Sequence, residues 1–182
     1  MGLAVWTREL FQCWGLAEKD DRAARPDECV FCKKIAEADP NAFVYQDAEL
    51  VVFKDWKPAA RQHLLVVPRK HITSARVLTG EDAGLARRML EVGKKVVGGG
   101  AAEKSENENT SGENTTRFGY HLPPFNSVDH LHMHAFQLPF DPEWKERKYS
   151  VEQWARFAFV PAGETCERLE KRAQEAGANS KL

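Results

Sequence analysis

The stretch that most constrains this chain is His130-Leu131-His132-Met133-His134-Ala135-Phe136. Three histidines alternate with apolar residues. A period of two is that of a half-buried β-strand, in which alternate side chains share a face. Written as a strand, 130–136 presents three imidazoles on one face and buries Leu131 and Met133 on the other. An imidazole has a reference pKa of about 6.5, so near pH 7 it is mostly neutral and serves as a nucleophile, a base or a metal ligand. A purification tag would be His-rich without interleaved strand-forming residues. The pattern therefore asks for a sheet that carries its chemistry on one face.

The rest of the chain can supply that sheet. Its 182 residues suffice for one domain with a core and appendages, and 42% hydrophobic against 29% charged residues is the balance of a soluble globular protein. Lys and Arg number 26 against 27 Asp and Glu. That balance excludes a global basic field of the kind used for non-specific nucleic-acid binding. No apolar run approaches the roughly 20 residues of a membrane span. Residues 1–16 are broken by Arg8, Glu9 and Gln12, unlike a secretory signal. Gly2 is a poor myristoylation site, because Trp6 stands where Ser or Thr is required and Thr7 comes one place late. With no secretion signal, Cys13, Cys29, Cys32 and Cys166 are expected as reduced thiols, and the sequons at Asn109 and Asn114 have no route to glycosylation. A cytoplasmic location follows as an expectation, with the nucleus also open.

Leu3, Trp6, Leu10 and Trp14 fall near helical spacing, so residues 1–28 read as an amphipathic segment followed by a charged linker over 18–28. A compact unit spans 29–138. Within it a short helix is expected over 33–38, strands over 43–46, 50–53 and 63–67, and a loop over 54–60. Thr79, with Asp82 three places on, starts a helix over 80–97 whose apolar face is Leu85, Met89, Val92 and Val96. Residues 98–116 are poor in core-forming types and read as a disordered insertion. Strands follow over 117–121 and 130–136. The extension 139–182 is expected to add a strand over 156–160 and a helix over 161–176.

All six histidines, His63, His71, His121, His130, His132 and His134, fall inside the compact unit. If its strands are neighbours, the imidazoles converge on one edge. Cys29 and Cys32 form a Cys-x-x-Cys pair, a common first half of a tetrahedral zinc site. The same cysteines could equally be reduced core thiols.

His130 to Phe136 matches the His-φ-His-φ-His-φ-φ signature of the histidine triad family. Phe53-Lys54-Asp55-Trp56-Lys57-Pro58 and His63-Leu64-Leu65-Val66-Val67-Pro68-Arg69-Lys70-His71 resemble the nucleotide-binding half of its Hint branch. Cys29-Val30-Phe31-Cys32-Lys33 resembles that branch's opening. His121-Leu122-Pro123-Pro124-Phe125 and the long tail are most similar to the third Hint group. The resemblance implies an α+β fold, with an antiparallel sheet of about five strands, two main helices and a homodimer. It implies a hydrolase that cleaves purine nucleoside phosphoramidates, AMP-lysine or aminoacyl-adenylates through a nucleotidyl-histidine, with no cofactor for the chemistry itself.

Residue by residue, the resemblance makes His132 the nucleophile and His134 and His63 the holders of the phosphate. It puts Ser127 near the leaving group, where a hydroxyl could pass on a proton, and Asp55 on the ribose hydroxyls. Phe53 and Trp56 would form the base pocket. His121 stands where many members have asparagine, and is expected to donate to phosphate. Some relatives bind structural zinc through positions matching Cys29, Cys32, His71 and His130. Two other readings stay open, a dinucleoside polyphosphate hydrolase and a zinc-stabilised binding module without catalysis. The aprataxin branch, which acts in nucleic-acid repair, carries a basic zinc-finger extension, and the tail here has neither further histidines nor a cysteine pair.

Overall fold

The computed structural model describes residues 26–37, 40–99 and 115–179. The amphipathic segment at Leu3–Trp14, most of the linker and the interior of the insertion lie outside them. Three helices, α1 (Val30–Glu37), α2 (Ala83–Gly99) and α3 (Ala162–Asn179), accompany six strands. The strands are β1 (Tyr45–Gln46), β2 (Leu50–Lys54), β3 (Ala60–Pro68), β4 (Thr116–His121), β5 (Met133–Phe140) and β6 (Phe159–Pro161). They form one antiparallel sheet in the order β1-β2-β3-β5-β4-β6. The sheet thus has six strands rather than about five, because the C-terminal extension adds β6 to the outer edge of β4. Among the described residues no helix is long and apolar enough to cross a membrane.

Strand alternation divides the apolar residues between two faces. Leu50, Val52, Leu64, Val66, Tyr120, Leu131, Met133 and Ala135 point to one face and join Met89, Val92 and Leu169 from α2 and α3 in the main core. Val51, Phe53, Leu65 and Val67 point the other way, under Phe31 of α1. Phe136, Phe140, Tyr149 and Phe159 continue that second face toward the tail. The two long helices therefore cover one face, leaving the other to short segments. Polar chemistry can be buried there without interrupting the main core.

Several boundaries move. The ladder of β5 begins at Met133 and runs to Phe140, so His130 to His132 precede it. Leu131 is held instead by its N–H donating to the Ile72 carbonyl at 2.6 Å. Its alternation with Met133 into the main core survives, because the chain stays extended there. Of the segment 156–160, residues 156–158 form a turn and only Phe159 and Val160 belong to the three residues of β6. Helix α2 continues to Gly99, and Thr116 already opens β4, so the insertion is shorter than 98–116. At the start of α2 the Asp82 carboxylate accepts the Thr79 N–H at 2.8 Å and its hydroxyl at 3.1 Å.

Gly119 makes the docking of β6 possible. A Cβ there would lie 2.4 Å from the Phe159 ring and 2.6 Å from the Val160 carbonyl. Only a residue without a side chain lets β6 approach β4 so closely.

Candidate active site

The imidazoles meet on the sheet face opposite α2 and α3. In the register, Leu65 of β3 and Gly119 of β4 flank His134, while His63 lies opposite Phe136. Ring centroids are 5.0 Å apart for His132 and His134, 5.1 Å for His63 and His134, and 5.1 Å for His121 and His134. Phe31 covers His130 and His132 from α1 at 5.9 and 5.4 Å. His134 is the hub, with His63, His121 and His132 around it.

Hydrogen bonds set which nitrogen of each ring carries the proton. The nitrogen of His132 that faces the His130 carbonyl, Nδ1 at 2.6 Å, must be the donor. Its Nε2 then carries the free lone pair. At His63 the Ala59 N–H donates to Nδ1 at 3.3 Å, so Nε2 carries the proton. That N–H donates to His134 Nδ1 at 2.8 Å, with the Asp55 carboxylate 3.4 Å from the same nitrogen. His134 is left with its proton on Nε2, which is buried and has no hydrogen-bond partner. A buried donor without a partner is costly, and this one belongs to a ring 5.0 Å from that of His132, where an incoming anionic oxygen would satisfy it.

His121 behaves differently from the expectation. Its Nδ1–H donates to the Ala158 carbonyl at 3.2 Å, and its buried Nε2 has no partner. In the neutral ring that nitrogen is an acceptor. It can receive an amine N–H or a water, but it cannot give a hydrogen bond to phosphate.

Burial keeps these rings neutral. It lowers His63, His121 and His130 to about 4, with Lys148 opposing the charged form at His63 and His121, and Asp55 favouring it at His63. Burial also lowers His132, and drives His134 well below the ordinary range with help from the surrounding imidazoles. At pH 7 the His132 ring is therefore neutral.

The other expected residues are placed less closely. Asp55 follows β2, and its carboxylate accepts the Lys57 N–H at 2.7 Å. An open cleft of about 710 Å³ touches the cluster only at Asp55 and His63; Leu64, Val97, Thr116 and Gln137 among its other lining residues lie apart from His121, His132 and His134. Phe53 is buried against Phe31 and Phe43, so Phe31 stands between it and His132. Trp56 is 81% exposed and carries Lys57 over its ring, away from the imidazoles. Ser127 is exposed in the loop before the triad. The segment 123–130 forms turns rather than strand, so its side chains follow no alternation that would aim Ser127 inward.

Beside this face, Cys29, Cys32, His71 and His130 converge, with their ligand atoms all within 4.8 Å of one another. Cys29 Sγ lies 3.3 Å from His130 Nδ1, and Cys32 Sγ lies 3.2 Å from His71 Nδ1 and 3.5 Å from His130 Nδ1. The edges of a tetrahedral zinc site with two sulfurs and two nitrogens are about 3.6 Å, from bonds of about 2.3 and 2.0 Å. The donor set and its spacing fit such a site with little movement. His130 Nε2–H donates to the Pro68 carbonyl at 2.9 Å, which turns the Nδ1 lone pair toward the thiols. Without a metal, burial and the neighbouring Cys29 push the Cys32 thiol up to about 11.

Two contributors were not legible beforehand. Tyr149 comes from the C-terminal extension, yet its ring lies 5.2, 5.4 and 5.7 Å from those of His121, His134 and His63. Burial, with Asp55 nearby, raises its phenol well above the ordinary value. Phe31 lies between the two cysteines and roofs the triad.

Residues 28–150 match the sequence family described as scavenger mRNA decapping enzyme C-term binding. The chain is 39% identical to the bifunctional adenosine 5'-phosphosulfate phosphorylase/adenylylsulfatase HINT4 of Arabidopsis thaliana, over 66% of this chain and 77% of that one. It is 37% identical to the adenosine 5'-monophosphoramidase HINT3 of Xenopus tropicalis, over 62% and 71%. Among solved structures it resembles a HIT family hydrolase from Clostridium thermocellum, at 28% identity and a TM-score of 0.51, over 62% of this chain and 92% of that one.

Proposed function

The chain belongs to the histidine triad family, in its Hint branch, and from that premise we propose that it cleaves a purine nucleoside monophosphate from an amine by way of a nucleotidyl-His132 intermediate. Substrates of this class are adenosine 5'-phosphoramidate and AMP-lysine. The observation that carries the reading is the proton order of the cluster. The His130 carbonyl holds the His132 proton on Nδ1, and the His63–His134 hydrogen bond leaves a donor on His134 Nε2. A lone pair and a donor thus stand side by side, as attack on a phosphorus requires.

In the first step His132 Nε2 attacks the α-phosphorus and the bond to the leaving nitrogen breaks. The His134 Nε2–H meets a non-bridging oxygen. The leaving amine takes up a proton, for which the Ser127 hydroxyl is the proposed conduit. In the second step water attacks phosphorus, the bond to His132 breaks, and the nucleotide leaves. Asp55 is assigned to the ribose hydroxyls, and its proximity to His63 also favours the proton on His63 Nε2. Zinc held by Cys29, Cys32, His71 and His130 is proposed as a structural element outside the reaction. A homodimer is part of the proposal too. Since β6 occupies the outer edge of β4, pairing would use another surface.

The two named relatives share an adenylyl half and differ in the leaving group, which makes the adenylyl half the firmer part of the reading. The test is turnover of adenosine 5'-phosphoramidate by the purified protein and by His132→Asn, with acid quenching to trap adenylylated protein. The expected result is labelled intermediate in the unaltered protein and a loss of at least about 10³-fold in the variant. Unchanged turnover in His132→Asn would remove the mechanism, and preferred cleavage of a diadenosine polyphosphate would move the substrate to that class.

A further inference from the structure

The donors around the triad fall short of what a phosphoryl group asks for. During transfer its charge spreads over the equatorial oxygens, and a fixed donor at each one stabilises it. His134 offers its Nε2–H, while the His63 proton is already given to His134. His121 gives its Nδ1–H to the Ala158 carbonyl and presents only an acceptor. Tyr149 stands at the gap. Its ring centre lies 5.2 Å from that of His121, 5.4 Å from His134 and 5.7 Å from His63. Phe136 at 4.7 Å, with Phe140 and Phe159 at 5.7 Å, walls the ring. Those neighbours are apolar and offer the phenol hydroxyl nothing. Among the described residues no hydrogen bond holds that hydroxyl, and it is not one of the fully buried polar atoms, so it is open to an incoming ligand. The turn that carries it, Glu143–Tyr149, is fixed in advance. Arg117 of β4 donates to the Tyr149 carbonyl at 3.2 Å and pairs with Glu146 at 2.9 Å. The Lys145 ammonium donates to the carbonyls of Pro58 at 2.8 Å and Asp141 at 3.2 Å.

We propose that Tyr149 is a further catalytic residue, donating its phenol O–H to a non-bridging phosphoryl oxygen beside the one that His134 serves. The inference rests on the nucleotidyl-His132 reading. A phenol keeps its proton at pH 7, because its reference pKa is about 10. It therefore supplies, on the His121 side, the donor that the neutral His121 ring does not. No proton is transferred. The O–H stays with Tyr149 in both steps, and its hydrogen bond strengthens as charge builds on the oxygen, first when His132 attacks phosphorus and again when water does. Without it that oxygen would be left to solvent. The C-terminal extension thus contributes to the reaction as well as to the sheet.

The test uses Tyr149→Phe, which removes the hydroxyl and keeps the ring among its apolar neighbours. Turnover is measured on adenosine 5'-phosphoramidate and on the two diastereomers in which sulfur replaces one non-bridging oxygen, since sulfur accepts a hydrogen bond weakly. The expected result is a fall in kcat of about tenfold or more on the oxygen substrate, with an unchanged melting temperature. In the same variant the oxygen-to-sulfur rate ratio should drop by a similar factor for one diastereomer and stay as it was for the other. A loss of kcat that leaves both ratios where they were would show that Tyr149 acts through packing alone and overturn the inference. So would an undiminished kcat in Tyr149→Phe, which would leave the proposed function standing. An unaltered protein that does not cleave the amide removes the proposed function and the inference with it.

Discussion

Acidifying this protein from pH 7 to pH 5 should cost it a large share of its stability. His63 and His121 are lowered to about 4 in the folded chain, chiefly by burial. In the unfolded chain each returns to about 6.5. A depressed histidine pKa means that the unfolded state binds protons first, so stability is intact above about 6.5 and is lost as pH falls toward 4. Near pH 7 both states are mostly neutral and little is lost. At pH 5 the unfolded imidazole is protonated and the folded one is not, a difference of about 2 kcal/mol per group and about 4 for the pair. A domain of this size is stable by only about 5–15 kcal/mol. Carboxylates do not mask the effect in this window. Burial opposes ionisation of Asp47, but hydrogen bonds from Tyr45, Leu50, Glu49 and Arg88 outweigh it and hold it below the ordinary range. Its contribution is lost only as pH falls through and below its unfolded value. Urea unfolding at both pH values measures the loss, with His121→Asn as the internal control under identical metal conditions. The variant should lose about 2 kcal/mol less than the unaltered protein between the two pH values. Equal losses in the two proteins, or an unaltered protein equally stable at pH 5 and pH 7, would show that the buried rings are not held neutral.

Two further outcomes follow from the packing. Gly119→Ala should destabilise the fold by about 1–3 kcal/mol or more and expose the extension to proteolysis, because the new methyl meets the Phe159 ring and the Val160 carbonyl; an unchanged Tm would mean that β6 is not seated on β4. Purified protein should carry about one zinc per chain by elemental analysis, and Cys32→Ser should lower that content and the melting temperature together, whereas a metal-free protein as stable as before would identify the four residues as a hydrogen-bonded cluster.

The triad's facing was legible in the sequence because a period of two reports it directly. Leu131 and Met133 enter the main core, and His130, His132 and His134 look the other way. The strand that was expected to carry them begins only at Met133, because hydrophobic alternation reports an extended backbone and says nothing of ladder partners. His63 was legible by resemblance, as was its closeness to His134. The proton order was not, since it depends on the Ala59 N–H, the His130 carbonyl and the Ala158 carbonyl, which no side-chain pattern encodes. Tyr149 was illegible for a related reason. Its place comes from a turn tied down by Pro58 and Arg117, residues 91 and 32 positions before it. The strand of the extension was expected over 156–160 and lies at Phe159–Pro161, because three residues are too few for a period to fix their bounds.

His130 joins the two clusters through different atoms. Its side chain donates from Nε2 to the Pro68 carbonyl and offers Nδ1 to Cys29 and Cys32. Its main-chain carbonyl accepts the His132 proton. Whatever fixes the His130 ring therefore also fixes the carbonyl that selects the His132 tautomer. Loosening the Cys–His cluster should act on catalysis without touching substrate. The expected signature of Cys32→Ser is a lower kcat with little change in KM, because Asp55, the proposed ribose contact, is not part of the Cys–His cluster. A rise in KM alone, with kcat unchanged, would separate the two clusters and leave the cysteines with a purely structural part.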